Sequence, residues 1–165
     1  MIKISVCDDD EGQLTFFKQC FMEYNEKHKE KIEANFYQSV QSLLNEKKFS
    51  PDVYFLDIEL HDGNGLKLAG RIRTRNPQIP IVFITSHEEF MPEAFQVHAY
   101  QYLNEKKNAQ AVENVLNQLA DYFSEQNQIF SFQTYGEMIS LDCRNIICFT
   151  SEKRKNIVIA ENGEF

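Results

Sequence analysis

At 165 residues, with 42% hydrophobic and 25% charged side chains, the chain has ordinary globular composition and is long enough for one well-cored domain and part of a second. Its net charge of −8 argues against nonspecific attraction to a phosphate backbone or an anionic bilayer, so any nucleic-acid contact has to be local. No apolar run approaches the roughly 18 residues that span a membrane, and three aspartates by residue 10 rule out a signal-peptide core; the expectation is a cytoplasmic protein without membrane contact.

Over residues 1–126 strand and helix patterns alternate five times, the signature of a parallel sheet covered on both faces. Apolar runs predict strands at residues 2–7, 32–38, 53–57, 79–85 and 99–103. Helical stripes fall between and after them: Leu14, Phe17, Phe21 and Tyr24; Leu66, Ala69 and Ile72; Phe90, Ala94 and Val97; Val112, Val115, Leu116, Leu119 and Phe123. Asp10 with Gln13, and Ser86 with Glu89, have capping-box spacing at helix starts. The fold class that follows is α/β, a doubly wound five-stranded parallel sheet of order 2-1-3-4-5.

A polar linker, residues 124–128, leads into a different pattern. Residues 127–165 read as a short all-β segment, with strands near 129–134, 137–142, 146–150 and 156–160 and turns at Tyr135-Gly136 and Asn162-Gly163. An Asn-Gly hairpin turn needs a strand on each side, yet only Glu164 and Phe165 follow it, so the β-rich domain is expected to be incomplete. Cys7, Cys20, Cys143 and Cys148 have neither C-x-x-C spacing nor a histidine at metal-ligand spacing, and read as reduced thiols, with Cys7 as core packing.

The first strand runs directly into Asp8 and Asp9, and the third into Asp57. In a sheet of order 2-1-3-4-5 these two strands are neighbours at the switch point, so the three carboxylates converge at the carboxyl edge. Facing carboxylates repel unless a cation intervenes, and oxygen-only ligands with open water positions suit Mg²⁺. The loop after Asp57, IELHDGNGLKL, holds two glycines that let the backbone turn sharply, with Asn64 as the cap of the next helix. It is not an EF-hand, whose sixth position requires glycine where Asp62 stands. Thr85 closes the fourth strand and faces the same crevice. Tyr100 and Tyr102 alternate along the fifth, while His61, His87 and His98 read as loop or packing residues.

The segments VCDDDEGQL, FLDIELHDGNGL, IPIVFITSHEEF and AFQVHAYQYLNEK resemble a response-regulator receiver domain, flavodoxin-like in fold, over about residues 1–126. The tail from Ile129 resembles the opening part of a LytTR-type DNA-binding domain. The receiver resemblance implies that Asp57 takes a phosphoryl group from a sensor histidine kinase. It also implies that Asp9, Asp57 and the Glu59 main-chain carbonyl hold Mg²⁺ with Asp8 helping through water, that Thr85 bonds a phosphoryl oxygen, and that Tyr102 follows as the switch aromatic. A homodimer formed on phosphorylation is the implied output, with DNA contacted only through the full-length output domain.

Receivers place a lysine just after the fifth strand; alignment puts Glu105 there, and Lys106 is the residue expected to take its role. Glu105 also motivates an alternative, a pseudo-receiver that dimerises without phosphorylation. A Mg²⁺-dependent hydrolase of phosphate esters is the third reading; it wants a second aspartate two residues after the nucleophile, where Glu59 stands. In the tail, Lys153, Arg154 and Lys155 form the one local basic run and are the candidate phosphate contacts.

Overall fold

The computed structural model describes residues 1–85, 88–103, 108–126, 129–134, 137–152, 155–161 and 163–164. The chain divides into two compact units, Met1–Leu116 and Asn117–Phe165, the division running within the last helix.

The first unit follows the chain as β1 (Ile2–Cys7), α1 (Glu11–Lys27), β2 (Ile32–Tyr37), α2 (Val40–Asn45), β3 (Val53–Leu56), α3 (Gly65–Arg75), β4 (Ile81–Ile84), α4 (Met91–Gln96), β5 (Gln101–Leu103) and α5 (Ala109–Gln126). Its sheet has the order β2-β1-β3-β4-β5, and every neighbouring pair is parallel. This is the doubly wound order the sequence predicted. The strands carry near-continuous apolar runs because both faces are covered: Ile4, Val6, Val53, Phe55 and Ile81 through Ile84 are all fully buried.

On one face α1 lays down Leu14, Phe17, Phe21 and Tyr24. Phe17 and Phe21 meet Phe55 of β3 edge to face, with centroids 5.9 and 5.8 Å away, a geometry that suits the aromatic quadrupole. A second core gathers Leu56, Leu68, Ala69, Ile72, Phe83 and Ala94, with Phe90, Val97 and Tyr102 half-buried against it.

The sequence placed the start of strand four at residue 79 and that of strand five at 99; the structure starts them at Ile81 and Gln101. Pro80 has no N–H to give a ladder, and the Ala99 N–H is taken by the Ala94 carbonyl at the end of α4. His98 sits at φ 53° in that turn. The Arg73 guanidinium of α3 holds the corner by donating to the carbonyls of Val97 (3.0 Å), His98 (2.8 Å) and Ile79.

In the second unit, β6 (Ile129–Thr134) and β7 (Glu137–Asp142) form an antiparallel pair, and β8 (Ile146–Glu152), β9 (Lys155–Ala160) and β10 (Gly163–Glu164) form a three-stranded antiparallel sheet. The predicted strands are all present. Gly163 stands at φ 150°, a conformation that favours glycine, and opens the short last strand. Leu141, Val158 and Ala160 are the buried centre of this unit, with Phe130, Phe132, Ile139 and Ile146 against them, while Met138, Ile147 and Phe149 remain exposed.

Phe55→Ala removes the ring that both α1 phenylalanines pack against. The expected loss is about 3–5 kcal/mol of stability, read from urea unfolding of the two proteins side by side.

Candidate functional site

The site grows from one register. Cys7 of β1 lies opposite Leu56 of β3, and the ladder continues one step further, with the Asp57 N–H donating to the Cys7 carbonyl at 2.8 Å. Both strands end there in carboxylates. One ligand oxygen from each of Asp8, Asp9 and Asp57 falls within 4.8 Å of the others. Asp8 is 0% exposed and Asp57 3%, while Asp9 lies at the surface. Thr85, also fully buried, ends β4 at the same edge of the sheet, its N–H on the Leu103 carbonyl at 3.1 Å.

Backbone donors fix each carboxylate. Asp8 Oδ1 accepts from the Asp10 N–H at 2.9 Å, and Asp57 Oδ1 from the Ile58 N–H at 2.8 Å. Asp9 Oδ2 accepts from the His61 N–H at 2.8 Å and has His61 Nδ1 at 3.4 Å. These bonds orient the acids without cancelling their charge. Two ionised carboxylates at this separation repel by on the order of 3 kcal/mol at an effective dielectric of about 20. The buried Cys7 thiol registers that field: burial first, then the charges of Asp62, Asp8, Asp57 and Asp9, push its pKa up to about 12. It is a thiol at physiological pH. Three hard oxygens gathered on one rim, open on the Asp9 side, are a donor set that fits Mg²⁺.

The loop after Asp57 is folded back on the site. Glu59–Leu60 pairs antiparallel with Gly63–Asn64, and the Gly65 N–H donates to the Ile58 carbonyl at 2.8 Å. A Cβ on Gly65 would lie 2.0 Å from the Asp57 carbonyl oxygen, so only glycine permits α3 to begin there. Asn64 caps α3 as predicted, accepting from the N–H groups of Leu66 (2.9 Å) and Lys67 (3.1 Å). Asp62, in the same loop, reaches across to the start of α2 and accepts from the N–H groups of Val40 and Gln41, both at 2.9 Å. These two bonds hold its carboxyl below the usual aspartate value.

The structure brings Asp8, Asp9 and Asp57 together, with Thr85 on the neighbouring strand end. Glu59 lies exposed in the loop ladder, and Tyr102 is half-buried on β5 against the α3/α4 core. Lys106 and Glu105 lie outside the described residues, as do Lys153 and Arg154; Lys155 opens β9. Two participants were missed in the sequence. His61, read as a loop or packing residue, sits on Asp9, and Asp62, read only as the residue that excludes an EF-hand, caps the start of α2. Neither has a spacing signal, because each acts on a residue far away in the chain.

Compared with known proteins, residues 4–117 match the family described as response regulator receiver domain. An uncharacterized response regulatory protein of Yersinia pestis is 30% identical over 122 residues, 73% of this chain and 49% of its own length. The sensory transduction protein LytR of Staphylococcus haemolyticus is 30% identical over 95 residues, 58% of this chain and 36% of its own. The chain thus spans about half or less of the length of these relatives. Among solved structures, the response regulator TrrA of Thermotoga maritima, in complex with Mg²⁺ and a beryllium fluoride, superposes with a TM-score of 0.62 at 22% identity, covering 72% of this chain and 99% of that one.

Because the Gly65 contact is with backbone, Gly65→Ala has to move either α3 or Asp57. Destabilisation of about 3 kcal/mol or more is expected, measured by urea unfolding, while Gly70→Ala, inside α3 where an added Cβ meets nothing within 4 Å, is the control and is expected to gain about 0.5–1 kcal/mol from helix propensity.

Proposed function

We propose, for a chain that belongs to the response regulator receiver family, the role of a phosphorylation switch in a two-component system, with Asp57 accepting a phosphoryl group from a sensor histidine kinase. The observation that carries the reading is the meeting of buried Asp57 with Asp8 and Asp9 at the rim between β1 and β3. An Asp57 carboxylate oxygen attacks phosphorus, the O–P bond forms as the bond to the donor's leaving group breaks, and an acyl phosphate results. Asp8, Asp9, Asp57 and the Glu59 main-chain carbonyl are assigned to Mg²⁺, which when bound supplies positive charge to the transferring oxygens. Thr85, at the end of the adjoining strand, donates its hydroxyl to a phosphoryl oxygen, and Lys106 supplies the cation expected after β5.

Phosphorylation adds about −1.5 to −2 of charge at the rim. The response is assigned to Thr85, Tyr102 and the α4–β5–α5 face, whose pocket of about 260 Å³ is lined by Met91, Ala94, Phe95, Tyr100 and Tyr102. Phe95 on that face is 74% exposed, which suits a surface that pairs with a second copy when the switch is set. The β-rich unit is assigned to a LytTR-type DNA-binding output domain controlling transcription, with Lys153, Arg154 and Lys155 toward phosphates. The name LytR carried by the staphylococcal relative and the run of short antiparallel strands support that assignment. A cytoplasmic location follows from the partner.

Intact mass after incubation with acetyl phosphate and Mg²⁺ tests the switch. One added phosphoryl group is expected, absent from Asp57→Asn and absent when EDTA replaces Mg²⁺. A wild-type protein that gains nothing would sink the reading, and a dimer indifferent to beryllofluoride would favour the pseudo-receiver.

A further inference from the structure

Gln13 does not do what its capping-box spacing predicts. Asp10 caps α1 as expected, its Oδ1 accepting from the N–H groups of Gly12 at 2.8 Å and Gln13 at 3.3 Å. The reciprocal half of the box, a bond from the Gln13 side chain to the Asp10 N–H, is missing. That N–H goes to Asp8 Oδ1 at 2.9 Å instead. The Gln13 side chain is turned inward, 1% exposed, on the stripe it shares with Phe17, Phe21 and Tyr24. Neither Oε1 nor Nε2 finds a hydrogen-bond partner among the described residues.

A buried amide with no partner is destabilising and uncommon in folded proteins, and where one persists it commonly serves a water, an ion or a reacting group. Its place in the fold says which. Gln13 is one helical turn into α1, about 4.5 Å of rise beyond Asp10. Helical side chains lean back toward the helix N-terminus, which here is the rim where Asp8 and Asp9 stand. The other buried residues of the stripe are apolar or aromatic, apart from Cys20, so packing alone asks for no amide at this position.

We propose that Gln13 is an outer-sphere positioning residue of the divalent-ion site: its Oε1 accepts from a metal-bound water on the Asp8 side, fixing the hydration shell that the carboxylates share. The inference rests on the Mg²⁺ reading of the carboxylate rim. It gives that site a fifth protein partner beside the three acids and the Glu59 carbonyl, from a helix rather than from a strand end or the loop after it, and a neutral one that adds no repulsion to the acids.

Calorimetric titration with Mg²⁺ alone, with thermal unfolding of the metal-free proteins alongside, tests it on the full chain. Gln13→Met keeps the length and removes the polar atoms; it is expected to bind Mg²⁺ at least threefold more weakly yet unfold at a higher temperature without metal, since a buried unsatisfied amide is gone. Gln13→Glu adds a fourth acid, and is expected to bind at least threefold more tightly while unfolding earlier without metal. Opposite shifts in the two variants are what a purely structural glutamine would not produce. If both bind Mg²⁺ as the wild type does, Gln13 has no part in the site and the inference falls by itself. A wild-type protein that binds no Mg²⁺, or binds it equally as Asp9→Asn, overturns the metal reading and this inference with it.

Discussion

Mutual repulsion of carboxylates at the end of two adjacent parallel strands is the constraint around which this fold is arranged. The β1–β3 register puts Asp8 and Asp57 side by side with almost no exposure, an arrangement that costs stability in the metal-free chain. The surrounding structure holds it in place by rigid means. The apolar strands beneath leave no room to retreat, backbone N–H groups grip one oxygen of each acid, and α3 begins so close to Asp57 that its first residue has to be glycine. A cation would relieve that repulsion and added charge would disturb it, the two properties that the proposed phosphorylation switch requires.

The loop between β3 and α3 carries that tension outward. Asp62 ties it to the start of α2, Asn64 to the start of α3, and His61 to Asp9, so one segment joins both carboxylate-bearing strand ends to two helices. At the other end of α3, Arg73 fastens the α4–β5 corner through the carbonyls of Val97 and His98 and the approach to β4 through that of Ile79. The helix that starts against the phosphoacceptor candidate therefore ends against the surface assigned to the response. Ordinary hydrogen bonds and one close glycine contact make up this connection.

Much of this was legible in the sequence for physical reasons. Buried parallel strands have to be continuously apolar, so VCDD and YFLD announce both the strands and the point where each meets solvent. The Asn64 cap and the Asp10 cap are local, and local chemistry is written in adjacent residues. What escaped was either short or distant. Helix α2 spans six residues, less than two turns, and shows no stripe. Asp62 and His61 act across 21 or more positions, where spacing carries no signal. Gln13 fits a capping box in the sequence, but the Asp10 N–H that the box would use goes to Asp8, and the Gln13 side chain lies in the core. Pro80 and the Ala99 turn bond shortened two strands that hydropathy alone extended.

The central claim is that the acids repel one another until a divalent ion joins them, and thermal unfolding at low ionic strength with and without saturating Mg²⁺ tests it most directly. Ligand at about 100 times its dissociation constant adds about 2.7 kcal/mol, or roughly 5 to 10 °C for a chain of this size. The account predicts a rise of that order for the wild type. For Asp57→Asn it predicts a higher midpoint without metal and a much smaller rise with it. A wild-type midpoint that Mg²⁺ leaves unmoved, with Asp57→Asn no more stable than its parent, would contradict it.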